Sequence, residues 1–234
     1  MFKLFNYILE VNSLEIFGLS IVVLLKLILI DIVLSGDNAV VIAMAARNVP
    51  KENQKKAIFL GTFGAIALRL IFAAVIVHIL DIPYLTLVGG LLLIYIAIKL
   101  LVGDEGSHKE GGTTVWSAIK TIIIADAVMS LDNVLALAGA AHGNFFAIFI
   151  GVLVSIPIIV FASQLILKGM EKFPIIVYIG SGILAWTAGG MIVEEPALEK
   201  VMLSDFHFLV PTAITVLSLG IGYLLSKRKV KLES

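Results

Sequence analysis

Seven stretches of the chain are apolar almost without interruption, at roughly 14–46, 57–80, 83–102, 115–141, 145–167, 174–193 and 207–226. A helix needs about 20 such residues to cross a bilayer. None of the stretches shows the ten-residue alternation of a membrane barrel. The pattern predicts an all-α polytopic membrane protein of seven transmembrane helices, forming one transmembrane domain over 1–234. The connecting segments are short, and "GDEGSHKEGG" (103–112) is the most linker-like of them.

The polar residues that interrupt these stretches recur. "DIVLSGDNAV" (31–40) and "DAVMSLDNVL" (126–135) carry the same D-x3-S-x-D-N pattern at an offset of 95. Ala45-Ala46 and Ala140-Ala141 keep that offset, "AIFLG" (57–61) returns as "AIFIG" (147–151) at 90, and Pro83 and Gly89 return as Pro174 and Gly180 at 91. The chain is therefore read as repeat 1 (14–102), repeat 2 (115–193) and an extra helix (207–226). Each repeat holds three spans, an odd number, so the second copy must enter the membrane from the opposite side. Two inverted three-helix repeats plus a C-terminal helix is a plan that secondary transporters use, with ligand sites near the midplane between the repeats.

An acid at bilayer depth costs at least ~2.5–3.5 kcal/mol, and packing alone would prefer Leu or Ala. Four of them, Asp31, Asp37, Asp126 and Asp132, call for neutralisation by protons or by a cation. On a continuous helix Asp31, Ser35 and Asn38 share one face, as do Asp126, Ser130 and Asn133. Asp37 and Asp132 then point about 120° away, and Asp31 and Asp37 stand about 9 Å apart along the axis. One ion cannot easily take both from an unbroken helix. Either the helix breaks at Ser35-Gly36, where Gly eases an unusual backbone and Asn38 caps the second half, or the antiparallel span supplies the missing ligand. Leu131 stands where the first copy has Gly36, which predicts a less readily broken second span. The expected metal ligands are Asp31, Asp37, Asn38, Asp126, Asp132 and Asn133. Oxygen donors of this kind suit Mg²⁺, Ca²⁺ or Mn²⁺. The competing reading is a buried polar lock, in which Lys26 and Arg69, the basic residues well inside the spans, pair with the acids. Either could also act as a substitute cation in a site without metal.

Composition fits this picture. The chain is 60% hydrophobic and 15% charged, with a mean hydropathy of +1.08, too apolar for a soluble domain of 234 residues. Formal net charge is +0, which gives no reason to expect a nucleic-acid partner; lipid and a divalent metal ion are the partners expected, and a homodimer is compatible with them. There is no Cys, so thiol-ligated metals and disulfides are excluded. No removed signal peptide is expected ahead of the first span. Nothing points to a catalytic constellation or an organic cofactor, and acids duplicated by inverted symmetry suit ion layers better than a protease dyad.

The motifs "DIVLSGDNAVVIAMAARNVP" (31–50) and "DAVMSLDNVLALAGAAHGN" (126–144), with the spans around them, resemble the TerC family over about residues 14–226. The likeness is greatest to its short bacterial YjbE-type branch. The family's name links it to tellurium resistance, and its better-supported role is Mn²⁺ efflux. The resemblance implies a manganese exporter in which the six residues above match the paired acidic motifs; the residues by themselves specify only a hard divalent cation.

The expected function is thus export of Mn²⁺ from the cytoplasm. Moving a cation outward against a negative-inside potential costs ~2.3 kcal/mol per charge per 100 mV, so coupling to proton entry is expected, with the same carboxylates taking up protons as metal leaves. The alternatives are an exporter of a small cationic organic solute and a membrane partner that hands metal to secreted enzymes. Elsewhere, Glu194 and Glu195 read as a solvated helix end. His78, His142 and His207 read as interfacial polar groups and His108 as a loop residue. Met44 and Met129 read as core, Lys99 and Lys120 as snorkelling side chains, and Tyr95 and Trp186 as core or lipid-facing. The glycines at 61, 64, 139, 143, 180, 182, 189 and 190 read as close helix contacts.

Basic residues set the orientation. With the N-terminus outside, the inner segments hold Arg47, Lys51, Lys55, Lys56, Lys109, Lys168, Lys172, Lys227, Arg228, Lys229 and Lys231, and the outer ones only Lys3 and Lys200, eleven against two. A bacterial inner-membrane protein with a cytoplasmic C-terminus follows. A fluorescent protein fused to the C-terminus should therefore fluoresce in the cytoplasm; an active alkaline phosphatase fused at the same point would reverse the orientation.

Overall fold

The computed structural model describes residues 15–16, 19–79, 82–103, 114–141, 144–196, 198 and 206–233. Lys3, His108, Lys109, His142, Gly143 and Lys200 lie outside the described residues, as do the side chains of His78, Asp132, Arg228, Lys229 and Lys231. Apart from a small hairpin of β1 (Glu15–Ile16) and β2 (Leu19–Ser20), the described residues are helical. The helices are α1 (Ile21–Leu34), α2 (Gly36–Arg47), α3 (Lys51–Ile79), α4 (Leu85–Val102), α5 (Val115–Ala140), α6 (Phe145–Lys172), α7 (Ile175–Val193) and α8 (Phe206–Glu233).

Five of these are long and apolar enough to cross a membrane, and seven spans result if each of two bent stretches counts as one. The first bend, 46°, separates α1 from α2. The second, 52°, lies within α5 between Leu131 and Asn133. Large apolar side chains such as Val33, Phe63, Phe161 and Leu217 point out of the bundle with more than 60% of their surface exposed, as a lipid-facing wall requires. Tyr95 and Trp186 belong to this outer surface, and Trp186 meets Phe208 edge-on at 5.4 Å between ring centres. Met44 and Met129 are in the core, as expected.

Local sequence explains several helix boundaries. Thr114 accepts from Ser117 N at 3.2 Å and Asn144 from Ala147 N at 3.1 Å, so each begins a helix with a side-chain cap. The start of α4 is held differently. Tyr84 has a left-handed φ of 63°. Glu195, which follows the end of α7, accepts from Tyr84 N at 3.0 Å, from Leu87 N at 3.2 Å and from the Thr86 hydroxyl. Its carboxylate sits on the positive end of α4, where free N–H groups and the helix dipole favour an anion. Glu195 is 2% exposed, which corrects its reading as part of a solvated helix end: the end of one helix lies against the start of another, and the acid serves both.

The helices pair selectively. α3 lies along α5, α1 and α2 lie along α6, α4 lies against α7, and α8 covers α4 and α7. Some of the glycines make the close contacts expected of them. A Cβ on Gly61 would come within 2.6 Å of Ile122, on Gly64 within 2.6 Å of Ile123, on Gly180 within 2.6 Å of Val40 and on Gly189 within 2.5 Å of the Pro211 backbone. Gly182 has only ordinary van der Waals neighbours, and Gly139 and Gly190 have open space, so the close-contact reading fails for those two. Gly189 and Gly190 are adjacent, which makes them a controlled pair. Gly189→Ala must push α7 and α8 apart and should cost about 1–3 kcal/mol, visible as a lower thermal midpoint in detergent, whereas Gly190→Ala should leave the midpoint where it is.

Candidate functional site

The two bends bring the duplicated motifs together. At the first, Ser35 (φ −100°, ψ 7°) interrupts the helix between α1 and α2. Gly36 does not have a positive φ, and a Cβ there would meet nothing within 4 Å. Glycine is thus not what permits the break, and the second span bends beside Leu131 with no glycine in place. As Leu131 predicts, the second helix runs unbroken from Val115 to Ala140, yet it bends by 52° beside Leu131. Asn38 does not cap α2 either: its own backbone N–H donates to Asp37 Oδ1 at 2.9 Å. Asp37 stands in the first turn of α2, half-buried.

Between the bends lies the guanidinium of Arg69, carried in from α3 and 2% exposed. Its Nε donates to Ser130 Oγ at 2.9 Å. Nη1 donates to Asp31 Oδ1 at 3.1 Å and to Ser35 Oγ at 2.9 Å, and Nη2 to Asp126 Oδ1 at 2.7 Å. The first acid and the serine of both motifs therefore meet on one cation. The remaining carboxylate oxygens are also taken. Ser130 Oγ donates to Asp126 Oδ2 at 3.0 Å, and Ser155, from α6, donates to Asp31 Oδ2. Asp31 is fully buried and Asp126 is 5% exposed. Removing one partner from a buried ion pair typically costs ~3–5 kcal/mol, because the other charge is left without compensation.

The neutral members of the motifs behave differently from each other. Asn133 crosses to the first span and donates from Nδ2 to the Leu34 carbonyl at 3.3 Å, at the break. Asn38 is 2% exposed, and neither its Oδ1 nor its Nδ2 has a hydrogen-bond partner. The Thr62 hydroxyl, two turns before Arg69 on α3, is likewise buried and unpartnered. An unmet buried polar group costs about 1–3 kcal/mol, so these atoms mark places where a water or an ion would be welcome.

Of the six expected ligands, the structure brings Asp31 and Asp126 together and puts Asn133 against the first span. Among the described residues Asp37 and Asn38 make no hydrogen bond to the second span, and the Asp132 side chain lies outside them. Among the described residues no three His, Cys, Asp or Glu side chains are grouped to hold a metal. Lys26 is exposed and takes no part; the lock partner is Arg69 alone. Ser155 escaped the sequence reading because its repeat mate is Ala65. Its one signal was a hydroxyl in the middle of the apolar α6.

The model of the integral membrane protein TerC family matches residues 18–231. The chain is 44% identical to YjbE, an uncharacterised membrane protein of Bacillus subtilis, over 204 residues that cover 87% of this chain and 93% of that protein. Two further B. subtilis proteins named as uncharacterised membrane proteins are similar. YkoY is 26% identical, covering 80% of this chain and 64% of its own length, and YceF is 24% identical, covering 88% and 83%. No solved structure matches. A multi-pass helical bundle, paired acidic motifs inside its spans and a family match over nearly the whole length lead to one assignment: the chain belongs to the TerC family of integral membrane proteins.

Proposed function

We propose that the protein exports Mn²⁺ from the cytoplasm across the bacterial inner membrane, in exchange for protons. The observation that carries the reading is the meeting of Asp31 and Asp126, one from each copy of the motif, at a single buried cation position between two bent spans. Asp31, Asp37, Asp126 and Asp132 supply the negative charge that a doubly charged cargo needs within lipid, and Asn38 and Asn133 supply neutral oxygens. The unpartnered Asn38 amide is already buried and desolvated, so it can ligate without first giving up another bond. A donor set made of oxygen alone favours a hard ion.

Two inverted three-helix repeats fit the helix pairing. The contact between Leu27 and Gly151 and that between Ile122 and Gly61 are equivalent under the sequence offsets of 95 and 90. Exchanging the halves likewise turns the packing of α1 and α2 on α6 into the packing of α5 on α3. Carriers of this plan work by moving one half against the other around a central site.

A second reading has one observation in its favour. The acid pair holds a guanidinium, the head group of a small cationic organic solute. If such a solute is the cargo, arginine or guanidinium should compete with Mn²⁺ for the purified protein, and transport of labelled arginine should exceed that of the metal.

Cells lacking their own Mn²⁺ exporters should be protected from manganese by this protein and should hold less of the metal. Changes around metal ligands typically cost about 10–100-fold, so Asp126→Asn and Asp37→Asn should each lower efflux by at least that much at equal membrane abundance. Unchanged efflux in both would remove the acids from the pathway.

Proteoliposomes loaded with Mn²⁺ test the coupling. Each ion that leaves should bring protons inward, so a trapped pH dye should report acidification in step with metal loss. Metal loss without acidification would end the proton coupling. No flux from the purified protein would favour a role in handing metal to a partner.

A further inference from the structure

Arg69 is the charged element of the site that the repeat does not duplicate. The offset of 90 that relates α3 to α6 places Ile159 opposite it, an apolar residue 6% exposed. Its guanidinium uses three nitrogens to reach both motifs, and together with Ser130 and Ser155 it leaves none of the four oxygens of Asp31 and Asp126 without a donor. Each of those oxygens already accepts a hydrogen bond, and the guanidinium fills the space between the two carboxylates where a shared ion would sit. A dication and a guanidinium would also repel each other across so short a distance in a medium of low dielectric. Without its guanidinium, however, the pair would be two buried acids with no counter-charge.

We propose that Arg69 is a tethered counter-cation that occupies the Asp31–Asp126 pair in the empty transporter and is displaced when the metal ion binds. This rests on the metal-export reading above and adds to it what neutralises the Asp31–Asp126 pair when no metal is bound: the protein's own side chain. Arg suits this part because its fork spans two carboxylates and two hydroxyls at once and because it stays charged at any physiological pH. The cargo must outcompete Arg69 to bind, and Arg69 must outcompete the cargo to release it. Tight binding is thereby traded for turnover, a trade that a merely structural arginine would not make.

Two measurements on full-length protein in lipid nanodiscs decide it. The first is Mn²⁺ affinity by equilibrium dialysis for the wild type, Arg69→Gln and Arg69→Lys. With the competitor removed, Arg69→Gln should bind Mn²⁺ roughly tenfold tighter or more and transport it more slowly. Arg69→Lys, which keeps a cation there, should bind close to wild type. The second uses the wild type alone, so it stands even if Arg69→Gln fails to fold. Phenylglyoxal modification is read by mass spectrometry, with Arg47 and Arg228, the other two arginines of the chain, as internal references. Arg69 should be protected without metal and become reactive at saturating Mn²⁺. If the wild type binds Mn²⁺ but Arg69 stays unreactive and Arg69→Gln binds no tighter, Arg69 is structural and the proposal is overturned while the export reading stands. If the two measurements disagree, the wild-type reactivity decides. If the wild type binds no Mn²⁺, the export reading itself fails and takes the proposal with it.

Discussion

The structure depends on placing a guanidinium where water cannot reach. A charge at bilayer depth is costly alone, and two acids sharing a site are costlier still. Here the cost is offset by geometry. One planar fork faces acceptors from both bent spans, so Arg69 draws α1 and α5 toward α3 through bonds of 2.7–3.1 Å. In lipid there is little hydrophobic drive between helices, and small residues and polar contacts determine which faces meet. The contacts of Gly61 with Ile122 and Gly151 with Leu27 set how closely the spans approach. The arginine then sets how they are rotated, since only one rotation turns Asp31, Ser35, Asp126 and Ser130 inward together.

Much of this was legible in the sequence. The apolar runs gave the helical class, and the repeated motif gave the acids and serines that turn inward. Placing Asp31, Ser35 and Asn38 on one face and Asp37 off it agrees with their burial, the first three deeply buried and Asp37 half-buried. Other features were less visible, for identifiable physical reasons. A break eased by Gly36 is one of the two solutions that the sequence offers for the first motif. The backbone at Gly36 is ordinary, and the second span bends beside Leu131 without a glycine, so residue type at that position is not what marks the bend. Glu195 looked like a surface acid because sequence reports that a helix ends, not what lies beside its end. Ser155 has no repeat mate and so no pattern to draw attention to it.

Departures from symmetry carry as much information as the symmetry. Arg69 faces Ile159 across the offset, and Ser155 faces Ala65. Both changes act on the same acids, and Ser155 gives Asp31 a donor that the second repeat does not return to Asp126. Asp126 takes its second donor from Ser130 on its own helix, while the corresponding Ser35 is engaged by Arg69. The two acids are therefore chemically distinct in spite of their common motif.

The position of α8 has a mechanical consequence. It is fastened to α4 and α7, with the Pro211 backbone seated on Gly189 and Leu101 against Gly222. The bent spans carry none of these closest contacts. The last helix thus works as a keel: it ties α4 and α7 into a three-helix slab, and that slab meets the bent spans where Val40 packs on Gly180 and Val128 on Gly89.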